Sequence, residues 1–286
     1  MLISSVGALG AALLVVGRPQ PAGAAHAELV FSAVALAPLF ARVVVAWAPG
    51  KLSRALSSFL PVPVILAVYG ALNPLADLLH PALADAALAA ADLRLFGVHP
   101  SVWVASRLPP WLGDLLMALY TSYGFMLLGV GALLYVRRDD EAFERYGFAL
   151  MLNFFVTYAL YLAVPAMGPR FYLASSFHGP VAGHYLGPLG DALYKQSPFL
   201  RDCFPSGHFS CTLVALVFAW REGRRLFWTM LPFAAGLVAA TICCRFHYGV
   251  DLLAAPLVTL FSLTATDLVL RRPSEETALK ALPPAA

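Results

Sequence analysis

Three short clusters hold the residues whose types and spacing could do chemistry: Arg170 in "AVPAMGPRFYL", Ser206, Gly207 and His208 in "CFPSGH", and Arg245, His247 and Asp251 in "CCRFHYGVD". A guanidinium is a planar fork of donors that fits phosphate oxygens and keeps its charge at any working pH. Ser206 is a natural N-cap, and the N–H groups of Gly207 and His208 would open a helix. A helix N-terminus is an anion site, and glycine lets a ligand approach the backbone closely. His208 is then placed to protonate a departing oxygen. His247 and Asp251 are four apart, so on a helix they share a face and the carboxylate can reach the imidazole. A carboxylate on Nδ1–H fixes the tautomer and raises the basicity of Nε2, as in serine-hydrolase triads. Arg245 lies two positions from His247 and would point away from it on an ideal helix, so a role as phosphate ligand requires a non-helical turn. The first two clusters also have a plainer reading: Arg170 as a lipid-headgroup anchor, "FPSGH" as a capping turn with an interfacial histidine. Asp251, an ionisable group at the start of a span, is costly there and marks a functional position.

The elements that must position these residues are set by composition. The chain has 286 residues, 60% hydrophobic and 12% charged, with mean hydropathy +0.75. Soluble domains carry about 25% charged residues, so lipid is the main solvent here. A scattered net charge of +3 excludes a nucleic-acid partner. The four cysteines show no CxxC or Cys/His spacing, so a zinc site is not expected, and the sequence calls for no cofactor. No repeat of solenoid or inverted-transporter type is apparent. Apolar stretches near spanning length fall at 2–17, 29–48, 58–79, 111–136, 146–165, 208–220, 226–244 and 249–270. The expected fold is an all-α, polytopic bundle of about six to eight spans. The 208–220 stretch reaches spanning length only with its flanks, and 2–17 has a signal peptide as its alternative reading, although its n-region lacks positive charge. Asn73-Pro74 predicts a kink within 58–79. Two connections are long, 80–110 and 166–207. Within the first, "ADAALAAADLRLFGVHP" reads as an amphipathic surface helix or as a buried packing helix.

Orientation follows from the positive-inside bias. With eight spans and the N-terminus inside, twelve Lys/Arg residues fall on the inner side, in short loops such as "REGRR" and in the tail carrying Arg271, Arg272 and Lys280. Seven, Arg18 among them, fall on the outer side. The three clusters then face outward, at a cell membrane with its active site on the extracytoplasmic face. The chain divides into N-terminal spans with the outer amphipathic helix (1–109), a catalytic membrane core (110–270) and a cytoplasmic tail (271–286).

Taken together, an outer Arg, a Pro-Ser-Gly-His helix start and a His-x3-Asp pair resemble the type 2 phosphatidic acid phosphatase superfamily over roughly 110–265. "PAMGPR", "CFPSGH" and "TICCRFHYGVDLLA" look most like its branch of inositol phosphorylceramide synthases and related bacterial proteins. The resemblance implies a catalytic core like that of vanadium haloperoxidases. It also implies His247 as a nucleophile forming a phosphohistidine, Asp251 orienting it, and His208 as acid and then base. Arg170, Arg245, Ser206 and Gly207 would hold the phosphoryl oxygens, with no metal. The implied partners are a phosphorylated lipid and the bilayer, with water or an alcohol such as inositol or a sugar as acceptor. Ala163 stands where the phosphatase form has Lys, and Thr241 where it has Arg. Both departures favour the transferase-like branch; Ala255 replaces a Gly common there.

The remaining polar residues have bland expectations. His178 and His184 read as loop histidines, and Asn153 and Thr157 as interhelical hydrogen-bonding groups. Tyr120 and Tyr123 read as packing residues, with a lipid-site role as the alternative. Cys203, Cys243 and Cys244 precede the two histidines closely; they read as small apolar residues at helix ends, with a Cys203 bridge to either of the others as the alternative.

Overall fold

The computed structural model describes residues 1–17 and 21–270. Arg18 and the expected tail, with Arg271, Arg272 and Lys280, lie outside the described residues.

Fifteen α-helices make up the described chain. The N-terminal part comprises α1 (Leu2–Val16), α2 (Ala24–Trp47), α3 (Lys51–Ser58), α4 (Pro61–Gly70) and α5 (Leu72–Leu79). Then come α6 (Asp85–Phe96), α7 (Pro100–Ala105), α8 (Pro110–Thr121), α9 (Tyr123–Arg137) and α10 (Asp140–Ala163). The last group is α11 (Pro169–Tyr172), α12 (Leu186–Tyr194), α13 (Gly207–Glu222), α14 (Arg224–Cys243) and α15 (Gly249–Val269). Among the described residues there is no strand, only one isolated bridge between Ala166 and Asp202.

By length and composition, five described helices can cross a membrane: α2, the α8–α9 run Pro110–Arg137, α10, α14 and α15. The bent pair α3–α4 makes a sixth if read as one span. Six is the low end of the expected six to eight. α1 has 15 residues and α13 has 16, short of the roughly 18 to 20 that a perpendicular crossing needs. The stretch 58–79 is not one helix either. It breaks before Pro61 and again at Ala71, and Pro74 sits in the first turn of α5, where its missing N–H costs nothing. The kink therefore falls just ahead of Asn73-Pro74.

Apolar burial forms two main clusters. One joins α1, α2, α4 and α5 to Phe155, Tyr158 and Tyr161 of α10; the other joins α9, α10, α13 and α14. Helix α10 thus belongs to both. At one end of the bundle α10 stops and α13 and α15 start. At the other, Arg137 of α9 pairs with Glu222 of α13, and Arg145 of α10 pairs with Asp267 of α15. Asn153 of α10 accepts from Ser210 of α13 at 2.8 Å, an interhelical bond of the expected kind. Thr157 does not follow suit: its buried hydroxyl has no partner, and it lies against Gly207 instead.

Candidate active site

At the end where α13 and α15 begin, local sequence sets each turn. Ser206 caps α13, its Oγ accepting from the Phe209 N–H at 3.4 Å. The N–H groups of Gly207 and His208 have no protein acceptor among the described residues. A Cβ on Gly207 would meet the Tyr161 hydroxyl at 2.5 Å, so any larger residue here must displace that side chain. The α14–α15 turn passes through Arg245 at φ 65, and the Thr241 carbonyl accepts from the N–H groups of both Phe246 and His247. This is the non-helical turn that a ligand role for Arg245 demanded.

His247 and Asp251 meet, but for a reason other than the expected shared helix face. His247 precedes α15, and Asp251 sits in its first turn, where Oδ2 accepts from the Tyr248 N–H at 2.8 Å. His247 Nδ1 lies 2.7 Å from the Cys203 carbonyl and 3.3 Å from Asp251 Oδ2. A carbonyl only accepts, so Nδ1 carries the proton and Nε2 keeps its lone pair. The backbone carbonyl is therefore the nearer orienting group, and the carboxylate the second. The Cys203 thiol also donates to Asp251 Oδ2, at 2.9 Å. Cys203, Cys211, Cys243 and Cys244 are all free, so no bridge ties the two histidine segments. Cys203 is nevertheless no mere apolar filler, since it joins the Asp251 network through both thiol and carbonyl.

His208 faces His247 with ring centroids 6.5 Å apart. Tyr120 and Tyr123 flank it at 4.6 and 4.5 Å. His208 and Gly207 line a cavity of about 540 Å³ with six tyrosines and Asp202. Burial pushes the Asp202 carboxyl up from its ordinary pKa, while hydroxyl donation from Tyr69 and Tyr194 opposes that. Leu66, Tyr123 and Phe154 line both this cavity and an apolar groove of about 290 Å³ between α4, α9 and α10.

The two arginines are not brought to the histidines. Arg170 and Arg245, each 7% exposed, line a separate cavity of about 150 Å³ with Asp191 and Lys195. Arg170 donates to the Cys244 carbonyl at 2.6 Å and pairs with Asp191 at 3.2 Å. Arg245 donates to the Gly179 and Pro180 carbonyls at 3.1 and 2.8 Å. Both Nε–H groups are buried without an acceptor. Burial lowers both guanidinium pKa values, opposed in Arg170 by Asp191 and reinforced in Arg245 by the Arg170 charge. Phe246 stands between the two cavities, with Arg170 over its ring at 4.2 Å and Tyr120 stacked on it at 4.2 Å.

Two positioning residues escaped the sequence reading. Asp85 accepts from the N–H groups of Met167 and Gly168 and from the Tyr248 hydroxyl, at 2.9, 2.8 and 2.9 Å. Asp92 accepts from Gly249 and Val250 at 3.0 and 2.9 Å. They are seven apart, on one buried face of α6, which is thus the packing helix of the two alternatives. Gly168 has φ 86, and a Cβ there would meet the Phe246 carbonyl at 2.8 Å, so this glycine lets the Arg170 turn close on the His247 turn. Ala163, at the missing Lys position, is exposed and lines neither cavity; Thr241 is buried beneath the His247 turn. His178 and His184 are exposed loop residues, as expected.

Cys203, His247 and Asp251 are the one group of described His, Cys, Asp or Glu side chains whose ligand atoms lie within 4.8 Å of one another. Their mutual hydrogen bonds already account for that closeness. A scan of family models matches this chain to the PAP2 superfamily over residues 86–265, a stretch that takes in α6 and everything through most of α15. No curated protein and no solved structure matches.

Proposed function

The chain belongs to the PAP2 superfamily, and from that premise we propose that it is a membrane enzyme acting on a lipid phosphate or phosphodiester through a phosphohistidine. Family membership supports a lipid phosphatase-like activity. The observation that carries the finer reading is the His208–His247 pair, 6.5 Å apart, with Nδ1 of His247 held and Nε2 left for attack.

In this reading His247 Nε2 attacks phosphorus, and the bond from phosphorus to the leaving oxygen breaks. His208 gives that oxygen its proton. Water or an alcohol then loses its proton to His208 and displaces His247 from the phosphoryl group. Hydrolysis makes the protein a phosphatase; capture by a polyol or sugar makes it a phosphotransferase of the inositolphosphotransferase-like kind, the outcome favoured by Ala163 and Thr241. The open N–H groups of Gly207 and His208 meet the phosphoryl oxygens, where charge develops. Arg170 and Arg245 join them only by leaving their carbonyl partners, and their unpaired Nε–H groups favour that exchange. The apolar groove follows α10 from Phe143 to Phe154, about 16 Å at a helical rise of about 1.5 Å per residue. It suits an acyl chain whose headgroup lies beside His208.

The membrane assigned is the cell membrane, with the site facing out. Cysteine placed at exposed His184 should react with an impermeant maleimide on intact cells, and cysteine at exposed Arg225 only after permeabilisation. The opposite pattern places the chemistry on the inner face. For the reaction itself, purified protein in liposomes of mixed phospholipid should release or exchange a phosphorylated product. Brief acid-free quenching should trap an acid-labile, base-stable phosphoryl adduct on His247. Turnover without that adduct in any time window, or unchanged turnover in His247→Ala, would sink the covalent mechanism.

A further inference from the structure

The walls of the cavity beside His208 offer more than phosphoryl transfer uses. Tyr69, Tyr120, Tyr123, Tyr158, Tyr161 and Tyr194 line it together with Asp202. Most of the hydroxyls are already engaged. Tyr69 donates to Asp202 at 2.7 Å and Tyr194 at 3.0 Å. Tyr158 donates to the Ile65 carbonyl at 3.3 Å, and the Tyr120 hydroxyl lies 3.4 Å from His208 Nδ1. What these side chains keep for a ligand is chiefly ring surface, which carries a negative electrostatic face. Asp202 adds a carboxylate with no ion-pair partner among the described residues.

Three kinds of ligand can be weighed against those walls. A polyol needs hydroxyl and amide partners, and four of six hydroxyls are taken. An acyl chain accepts the rings but gains nothing from the half-buried Asp202 carboxylate, which it would seal from water with only two tyrosine hydroxyls as donors. A compact organic cation uses both, sitting against ring faces and neutralising Asp202. We infer that this cavity receives the cationic end, a quaternary ammonium or amine, of a zwitterionic phospholipid headgroup whose phosphate lies against His208 and His247. This deepens the function proposed above and rests on it: the donor is a phosphodiester lipid. The volume of about 540 Å³ holds such a headgroup and the start of its glycerol or sphingoid backbone.

The test separates charge from shape. Full-length protein in a neutral detergent is titrated calorimetrically with phosphocholine, with 3,3-dimethylbutyl phosphate, the carbon isostere that lacks only the ammonium charge, and with inositol 1-phosphate. Phosphocholine should bind about tenfold more tightly than the isostere, the scale of a desolvated cation–π contact. That preference should fall below about threefold in Asp202→Asn, which keeps the shape and removes the charge. Tyr161→Phe should retain the preference and Tyr161→Leu should lose it, a pair that serves even if the Asp202 variant fails to fold. Equal binding of the isostere by wild type, tighter binding of inositol 1-phosphate, or a preference undiminished in folded Asp202→Asn overturns the inference. None of these readings depends on turnover. The phosphohistidine mechanism fails separately, by survival of activity in His247→Ala.

Discussion

The two ends of the bundle treat charge in opposite ways. Where α9 and α13 stop and α10 begins, Arg137 pairs with Glu222 across solvent, its side chain 52% exposed. Arg145 and Asp267 pair in the same region. Such pairs cost little to make and contribute little, typically about 0–1 kcal/mol. Where α13 and α15 start, Asp85, Asp92, Arg170, Arg245, His247 and Asp251 are all buried. Burying an ionisable group is expensive unless hydrogen bonds replace its water; they do so for Asp85 and Asp92, while the Nε–H groups of Arg170 and Arg245 stay unpaired. The Asp85 and Asp92 carboxylates together accept four backbone N–H groups and one hydroxyl. The first end rests on solvent-facing pairs; at the second, Cys203, His247 and Asp251 form one network, to which Asp85 is tied through Tyr248.

Variants can break that contrast, beginning with the largest effect. His247→Ala should reduce turnover by at least about a thousandfold, because it deletes the attacking group, at a stability cost of about 1–3 kcal/mol for the buried partners it leaves behind. Residual activity near wild type, measured on lipid in liposomes, would make the two ends functionally alike. Asp251→Asn should cost about a hundredfold in kcat. It keeps an acceptor near Tyr248 but weakens the second of the two groups that hold His247 Nδ1. Asp92→Ala leaves the Gly249 and Val250 N–H groups without their acceptor, so it should destabilise by about 2–4 kcal/mol. Its effect on kcat should exceed that of an equally destabilising core truncation such as Leu237→Ala. Equal losses in the two would reduce Asp92 to ordinary packing. Arg137→Gln, at the opposite end, should change stability by less than about 0.5 kcal/mol and leave turnover as it was.

How much of this was legible in the sequence depends on range. Ser206, Gly207 and His208 are neighbours, and His247 and Asp251 are four apart, so cap chemistry and spacing sufficed to single them out. Asp85 and Asp92 bind backbone more than 80 and 150 residues away, and nothing local distinguishes them from the polar face of an amphipathic helix. Cys203 reaches Asp251 across 48 residues. Tyr120 and Tyr123 were singled out, but the four other tyrosines of the cavity come from α4, α10 and α12 and converge only in the fold. The arginines were found by type while their direction was not, since that is set by the Gly179, Pro180 and Cys244 carbonyls. Span limits could not be read where hydropathy is continuous but the backbone breaks, at Pro61 and Ala71.

One backbone contact has a further consequence. The Ser206 N–H donates to the Asp251 carbonyl at 3.3 Å, which brings the first turns of α13 and α15 together. Each helix carries roughly half a positive charge at that end from its aligned peptide dipoles. At α15 that charge is met by the Asp92 and Asp251 carboxylates, so the potential left for a ligand is that of α13, whose Gly207 and His208 N–H groups are open. Conversion of both arginines to glutamine should therefore weaken vanadate binding without abolishing it. The attraction that remains has no side chain to mutate away.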